Sequence, residues 1–184
     1  MKRIFNIVNL LFIASSSFGQ WIKKNIADEF GDPTNEVCLV YTCNGTFSNS
    51  ATTDSELTAK LVVYYSKPPD NWLWLRFDLY EYNRNVSANR DQFGVLSYKT
   101  ADGIISKCTI WHILQIKLYS NTIYGKYSGD KKLSEDDIDG RNLLHSLCYE
   151  SQPIKFHVLL EDGSTYNFIV DPKGFKDILR TLNG

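Results

Sequence analysis

The sequence predicts a mainly β protein, an antiparallel β-sandwich or flattened barrel with a helix at its C-terminal end. Three observations predict it. Short segments alternate apolar and polar residues with a period of two, and clusters of Gly, Pro, Asn and Asp separate them. No long helical pattern intervenes between those segments, as an α/β sheet would require. The last stretch of the chain reads as a hairpin that runs straight into a helix.

In order, Trp21 to Ile26 opens the series as a short strand, followed by an acidic turn punctuated by Gly31 and Pro33. Val37 to Thr42 is the next strand. Asn44 to Ser55, almost wholly Ser, Thr, Asn, Gly and Asp around Phe47, reads as an ordered loop whose side chains bond their own backbone. Alternation is clearest from Glu56 to Tyr65, with Leu57, Ala59, Leu61, Val63 and Tyr65 on one face. Pro68 to Asn71 turn the chain, and Trp72 to Tyr82 returns with Leu73, Leu75, Phe77 and Leu79 inward. A polar loop, Asn83 to Asp91, leads to a strand at Gln92 to Tyr98 and to a turn at Asp102-Gly103.

Ile104 to Tyr119 is the longest apolar run after the N-terminal segment, with Ile104, Cys108, Ile110, Leu114, Ile116 and Leu118 as its core face. Its length predicts one break or bend. Thr122 to Tyr127 adds a strand, and Asp139 to Leu147 a short helix with Leu143, Leu144 and Leu147 as its stripe. Ile154 to Leu160 and Thr165 to Val170 form the final hairpin around Asp162-Gly163, a pair such turns favour. Asp171 as N-cap and Pro172 at the first helical position then start a helix over residues 172–183. That helix is too short to hold itself in water, so Phe175, Ile178, Leu179 and Leu182 must lie on the sheet.

The chain has 184 residues, 43% of them hydrophobic, which suits one core. Residues 1–19 read as a secretory signal peptide: Met1, Lys2 and Arg3 are a basic n-region, Ile4 to Ala14 is apolar, and Ser17, Phe18, Gly19 make a small-x-small cleavage site before Gln20. The apolar run is short of the roughly 20 residues a membrane span needs. Residues 20–184 are then expected as one exported domain, secreted or periplasmic. Cleavage takes 20 basic residues to 18 against 21 acidic ones, a net charge of about −3, with no run of Lys or Arg. Nucleic acid and anionic membranes are therefore poor partners. Cys38 and Cys43 lie on an extended run with their side chains on opposite faces, so a disulfide would have to join either one to Cys108 or Cys148; four buried thiols are the other reading.

Chemistry is sparse. His112, His145 and His157 are the conventional bases, and no Gly-x-Ser-x-Gly elbow accompanies them. His112 falls on an inward face, whereas His157 faces outward with Lys155. No His shares metal-ligand spacing with another His or with a Cys. Glu135, Asp137, Asp139 and Gly140 match the first half of a calcium loop, but Ser146 stands where a bidentate carboxylate belongs. The carboxylates Asp28, Glu29, Asp32 and Glu36 suit turn-making, with an acid and base pair as the alternative. No cofactor and no metal is expected.

The most suggestive feature is the outward face of the strand Trp72 to Tyr82. Trp72, Trp74, Arg76, Asp78, Tyr80 and Tyr82 project from the side opposite the core. Rings interleaved with a guanidinium and a carboxylate could meet a carbohydrate or peptide, the rings giving contact and the charges direction. The competing reading is a strand covered on both faces, since strands favour aromatics whatever their role.

Several strings carry a resemblance. Trp21, then Asp28-Glu29-Phe30-Gly31-Asp32-Pro33-Thr34 with Glu36, then Gly45-Thr46-Phe47-Ser48-Asn49-Ser50-Ala51-Thr52-Thr53, and finally Tyr166-Asn167-Phe168 ahead of Gly174-Phe175, resemble a loosely defined group of small exported β-proteins of Gram-negative bacteria. Asn35 stands where that pattern usually has Gly. The resemblance implies export and a β-rich fold, and brings no catalytic residues. The expectation is a non-catalytic binding or interaction protein with an unknown protein, peptide or carbohydrate partner. The alternatives are a module binding its ligand on the aromatic strand face, and a hydrolase built on the Asp28 to Glu36 carboxylates.

Overall fold

The structure is a computed structural model. It describes residues 19–27, 30–65, 72–86, 94–110, 115–119 and 135–181, without the side chains of residues 33, 35, 65, 72–74, 109, 115–119 and 135–139. The strands are β1 (Ile22–Ala27), β2 (Pro33–Ser48), β3 (Ser55–Tyr65), β4 (Trp72–Glu81), β5 (Arg84–Asn85), β6 (Gly94–Lys99), β7 (Ile105–Ile110), β8 (Gln115–Tyr119), β9 (Ile154–Leu160) and β10 (Thr165–Val170). Two helices, α1 (Glu135–Tyr149) and α2 (Phe175–Arg180), complete the described elements.

The fold class is the expected one: mainly β, antiparallel and ending in a helix. One sheet carries it, in the order β5-β4-β3-β2-β10-β9-β6-β7, with β1 on β2 and β8 on β4. Both long strands share an edge between two partners. The first part of β2 pairs with β1 and its end, Gly45 to Ser48, pairs with β10, while β4 divides its far edge between β8 and β5. Such forks let a sheet curl without tearing its ladder. Phe77 on β4 thus lies 6.0 Å, ring centre to ring centre, from both Phe156 on β9 and Phe168 on β10, although two or more strands separate them in the sheet order. The ring does not close. At the two ends of the curl β7 and β8 approach each other without pairing, and α1 packs against both, burying Leu143, Leu144 and Leu147.

The two-residue alternation survives as burial. Leu57, Leu75, Ile110 and Phe156 are all dry, and one cluster runs from Trp21 to Leu179. Trp21 is pinned there: its indole N–H donates to the Asp171 carbonyl at 3.0 Å, and its ring lies 5.0 Å from Tyr41 and 4.5 Å from Phe175. The Asp171 N–H in turn donates to the Tyr41 hydroxyl at 3.0 Å. Asp171, just after β10, thereby holds both Trp21 ahead of β1 and Tyr41 on β2.

Several boundaries differ from expectation. The stretch Asn44 to Ser48 is strand, not loop, because β10 supplies its ladder and its polar residues alternate outward while Cys43 and Phe47 enter the core. The remainder behaves as expected: Asn49 Oδ1 accepts the N–H of Ala51 and of Thr52 at 2.9 and 3.1 Å. The long run from Ile104 divides into β7 and β8 on opposite ends of the sheet, and Ile104 itself is 61% exposed in the Asp102-Gly103 turn instead of lying in the core. α1 begins at Glu135, so Glu135, Asp137, Asp139 and Gly140 are helical and Asp139 is not a cap. α2 begins at Phe175, later than the Asp171 cap implied. Asp171 Oδ1 accepts the Lys173 N–H at 2.9 Å instead, and Gly174 at φ 81° leads into the helix. Predicted elements at residues 122–127, the turn at 68–71, and His112, Leu114 and Leu182 lie outside the described residues.

None of the four cysteines forms a disulfide. Cys38 joins a small outer cluster with Val40 and Val62, while Cys43 sits in the main core, so the two do face opposite ways.

Candidate functional site

The outer side of the sheet carries two polar regions. The first is the β3 and β4 side, where the aromatic strand face is expected. Arg76 and Asp78 stand two residues apart on β4 and use their forks on each other. Arg76 Nε lies 2.7 Å from Asp78 Oδ1, and Nη2 donates to Oδ2 at 3.0 Å. Asp78 is only 7% exposed. Burial works against the Arg76 charge, but the hydrogen bond and charge of Asp78 outweigh it and hold the guanidinium above its ordinary pKa. The guanidinium also lies 4.8 Å over the Tyr64 ring, and Lys60 Nζ sits 4.4 Å over the Tyr80 ring. Charged and aromatic groups here engage one another, although the buried Arg76 Nε, close to Asp78 Oδ1, makes no aligned hydrogen bond.

Tyr82 leaves this face altogether. Tyr82 and Asn83, at φ 47° and 66°, are the two loop residues of the hairpin that pairs Glu81 with Arg84, the primed turn that matches strand twist. That turn carries the Tyr82 ring to the edge of Phe47 at 5.4 Å and its hydroxyl to Ser55 Oγ at 3.1 Å. Trp72 and Trp74 lie on β4, with Trp74 opposite Tyr64, but their side chains are outside the described residues. Of the six predicted residues, the structure therefore groups Arg76, Asp78 and Tyr80 and separates Tyr82.

The second region belongs to β2, β10, β9 and β6, and it holds a groove of about 590 Å³. That volume falls within the range of about 300–1,000 Å³ usual for ligand sites. Cross-strand register builds it. Thr46 stands opposite Asn167, Asn167 opposite His157, and His157 opposite Ser97, giving one polar row across four strands. A neighbouring row sets Ile169 beside Lys155, Lys155 beside Lys99, and Lys99 beside Ile105. All eight side chains line the groove, whose floor is formed by Gly45, Tyr98, Phe156 and Phe168.

Gly45 is required there. A Cβ at that position would lie 2.1 Å from the Asn167 carbonyl oxygen, so only glycine lets β10 come down on β2 in this register. His157 Nδ1 lies 2.8 Å from Asn167 Oδ1, which fixes the orientation of the ring and of the amide. Among the described residues, the groove offers ammonium, amide, hydroxyl and imidazole groups and no carboxylate. Also among the described residues, no group of three His, Cys, Asp or Glu could hold a metal.

His157 and Lys155 were legible as outward residues from alternation. Asn167 faces outward by the same alternation, but its place opposite His157 depends on a three-residue loop, Glu161 to Gly163, where a two-residue Asp162-Gly163 turn would have set it opposite Val158. Thr46, Ser97 and Lys99 could not be foreseen as neighbours, since they arrive from strands elsewhere in the chain. The strings behind the resemblance also meet in space: Gly45, Thr46 and Phe47 pair with Phe168, Asn167 and Tyr166, and Trp21 packs on Phe175. Comparison with protein-family models, curated proteins and solved structures found no match. The functional reading therefore rests on this geometry.

Proposed function

We propose that the chain is an exported, non-catalytic binding protein whose ligand occupies the groove across β2, β10, β9 and β6. The observation that carries this is the polar row Thr46, Asn167, His157 and Ser97, held in register across four neighbouring strands whose other side is packed core. Such a row is pre-organised, because each side chain stands on a paired internal strand. The β4 face supports a ligand less well, since Arg76, Asp78, Lys60 and Tyr80 are engaged with one another. Asp32 and Glu36, the described members of the carboxylate cluster, are exposed to solvent and supply no buried acid to support hydrolysis. Export rests on the N-terminal pattern of residues 1–19, with Trp21 held in the core immediately after the expected cleavage point.

An array of oligosaccharides and peptides probed with the purified protein tests the reading. Asn167→Ala is expected to weaken whatever binds by about tenfold or more, the effect of removing one well-used polar partner. Tyr80→Ala, in the other region, is expected to leave binding unchanged. The reverse pattern would return the site to the aromatic strand. N-terminal sequencing of the exported protein should begin at Gln20.

A further inference from the structure

Lys99 and Lys155 stand directly opposite each other on β6 and β9, and both line the groove. Like charges in that relation oppose pairing, and proteins ordinarily place an acidic residue across from a lysine instead. On the neighbouring edge strand Lys107 stands opposite Ser97, which adds a third cation to the same face of a chain whose formal net charge is −1. The row ends at Glu56, opposite Thr46 on β3, outside the groove.

The second observation concerns the backbone. β10 and β9 are internal strands with both edges paired, so an extended peptide cannot add to them as a further strand. Recognition must go through side chains. Thr46, Ser97, Asn167 and His157 can between them donate and accept, which matches hydroxyl groups that do the same. Ile105 and Ile169, 61% and 38% exposed, flank the lysines and give apolar contact for the C–H face of a sugar ring.

Resting on the groove being the binding site, we propose that its ligand is an acidic saccharide. Lys99 and Lys155 take the oxyanion, and the polar row takes the neighbouring hydroxyl groups. Ligand charge then relieves the repulsion that the empty groove carries.

The test uses the full exported protein on immobilised oligogalacturonate, dextran sulfate and neutral dextran. Retention of an acidic chain and not of the neutral one is expected, and it should fall as salt rises from about 50 to about 500 mM, where screening shortens to a few ångströms. The two acidic arms distinguish carboxylate from sulfate. Lys99→Gln with Lys155→Gln should weaken retention by about tenfold or more, as loss of a charge-assisted bond does, without lowering the thermal midpoint. Equal retention of neutral dextran, with the double variant indifferent, would overturn the acidic ligand while leaving the groove as the site. Acidic retention untouched by Asn167→Ala would overturn both. A midpoint lowered by several degrees in the double variant would show the lysines to be structural and overturn the inference, as would retention of neither acidic chain.

Discussion

Replacing Trp21 by alanine probes how α2 is held on the sheet. Trp21 lies just ahead of β1, outside any regular element. It is 5% exposed, packs between Tyr41 and Phe175, and donates to the Asp171 carbonyl. Removing a large core aromatic costs about 3–5 kcal/mol, and the unpartnered carbonyl accounts for roughly 1–2 of it. Trp21→Phe keeps most of the apolar contact and should cost only that second part. The loss should not be spread evenly. α2 spans six residues, far below the length that holds itself in water, and Phe175 is its anchor against Trp21. Urea unfolding followed by far-ultraviolet circular dichroism gives the total. Hydrogen exchange at the Ile178 and Thr181 amides, which bond Gly174 and Ile178 carbonyls, reports the helix. A cost below about 1 kcal/mol for Trp21→Ala, or unchanged protection at those amides, would refute the account of α2 as held by this contact.

Two more predictions concern the core. Gly45→Ala places a methyl group 2.1 Å from the Asn167 oxygen and 2.9 Å from Phe168 Cβ, so β10 must shift. A loss of at least about 3 kcal/mol in urea unfolding is expected, beyond ordinary overpacking because backbone is what blocks the methyl. Stability should also fall at alkaline pH. Burial pushes the Cys43 thiol up to about 12 from 9.0, partly opposed by its backbone contact to Ile169. Below the unfolded value the thiol is protonated in both states and its contribution is whole. Between that value and the folded one only the unfolded chain gives up its proton, so stability declines by up to about 1.4 kcal/mol per pH unit. Tyr41 and Tyr64, also raised mainly by burial, add to the decline at higher pH. Cys43→Ala should flatten the slope of unfolding free energy between about pH 9 and pH 11, and parallel slopes would show the thiol is not the cause.

Local alternation determined which side of each strand is dry. It placed Leu57, Leu75, Ile110 and Phe156 in the core, turned His157 and Lys155 outward, and set Cys38 and Cys43 on opposite faces. It also located the turn at Asp162-Gly163, which is a three-residue loop from Glu161 to Gly163 that ends on the positive φ of Gly163 at 82°. Such rules act over a few residues, and the chain itself supplies all they need.

Neighbourhood was decided only by the tertiary structure. Asn44 to Ser48 has a loop's composition, yet it is strand because β10 satisfies its backbone and Gly45 permits the approach. Tyr82 alternates like a member of β4, yet a turn with two positive φ values sends it to Phe47. The groove itself is of this kind. Thr46, Lys99 and Ser97 join His157 because β2, β10, β9 and β6 are neighbours in the sheet though distant in the chain, and that choice depends on which non-local pairing buries the most surface for the whole chain. A two-residue period tells a side chain which way to face, whereas only the closed core tells it what stands beside it.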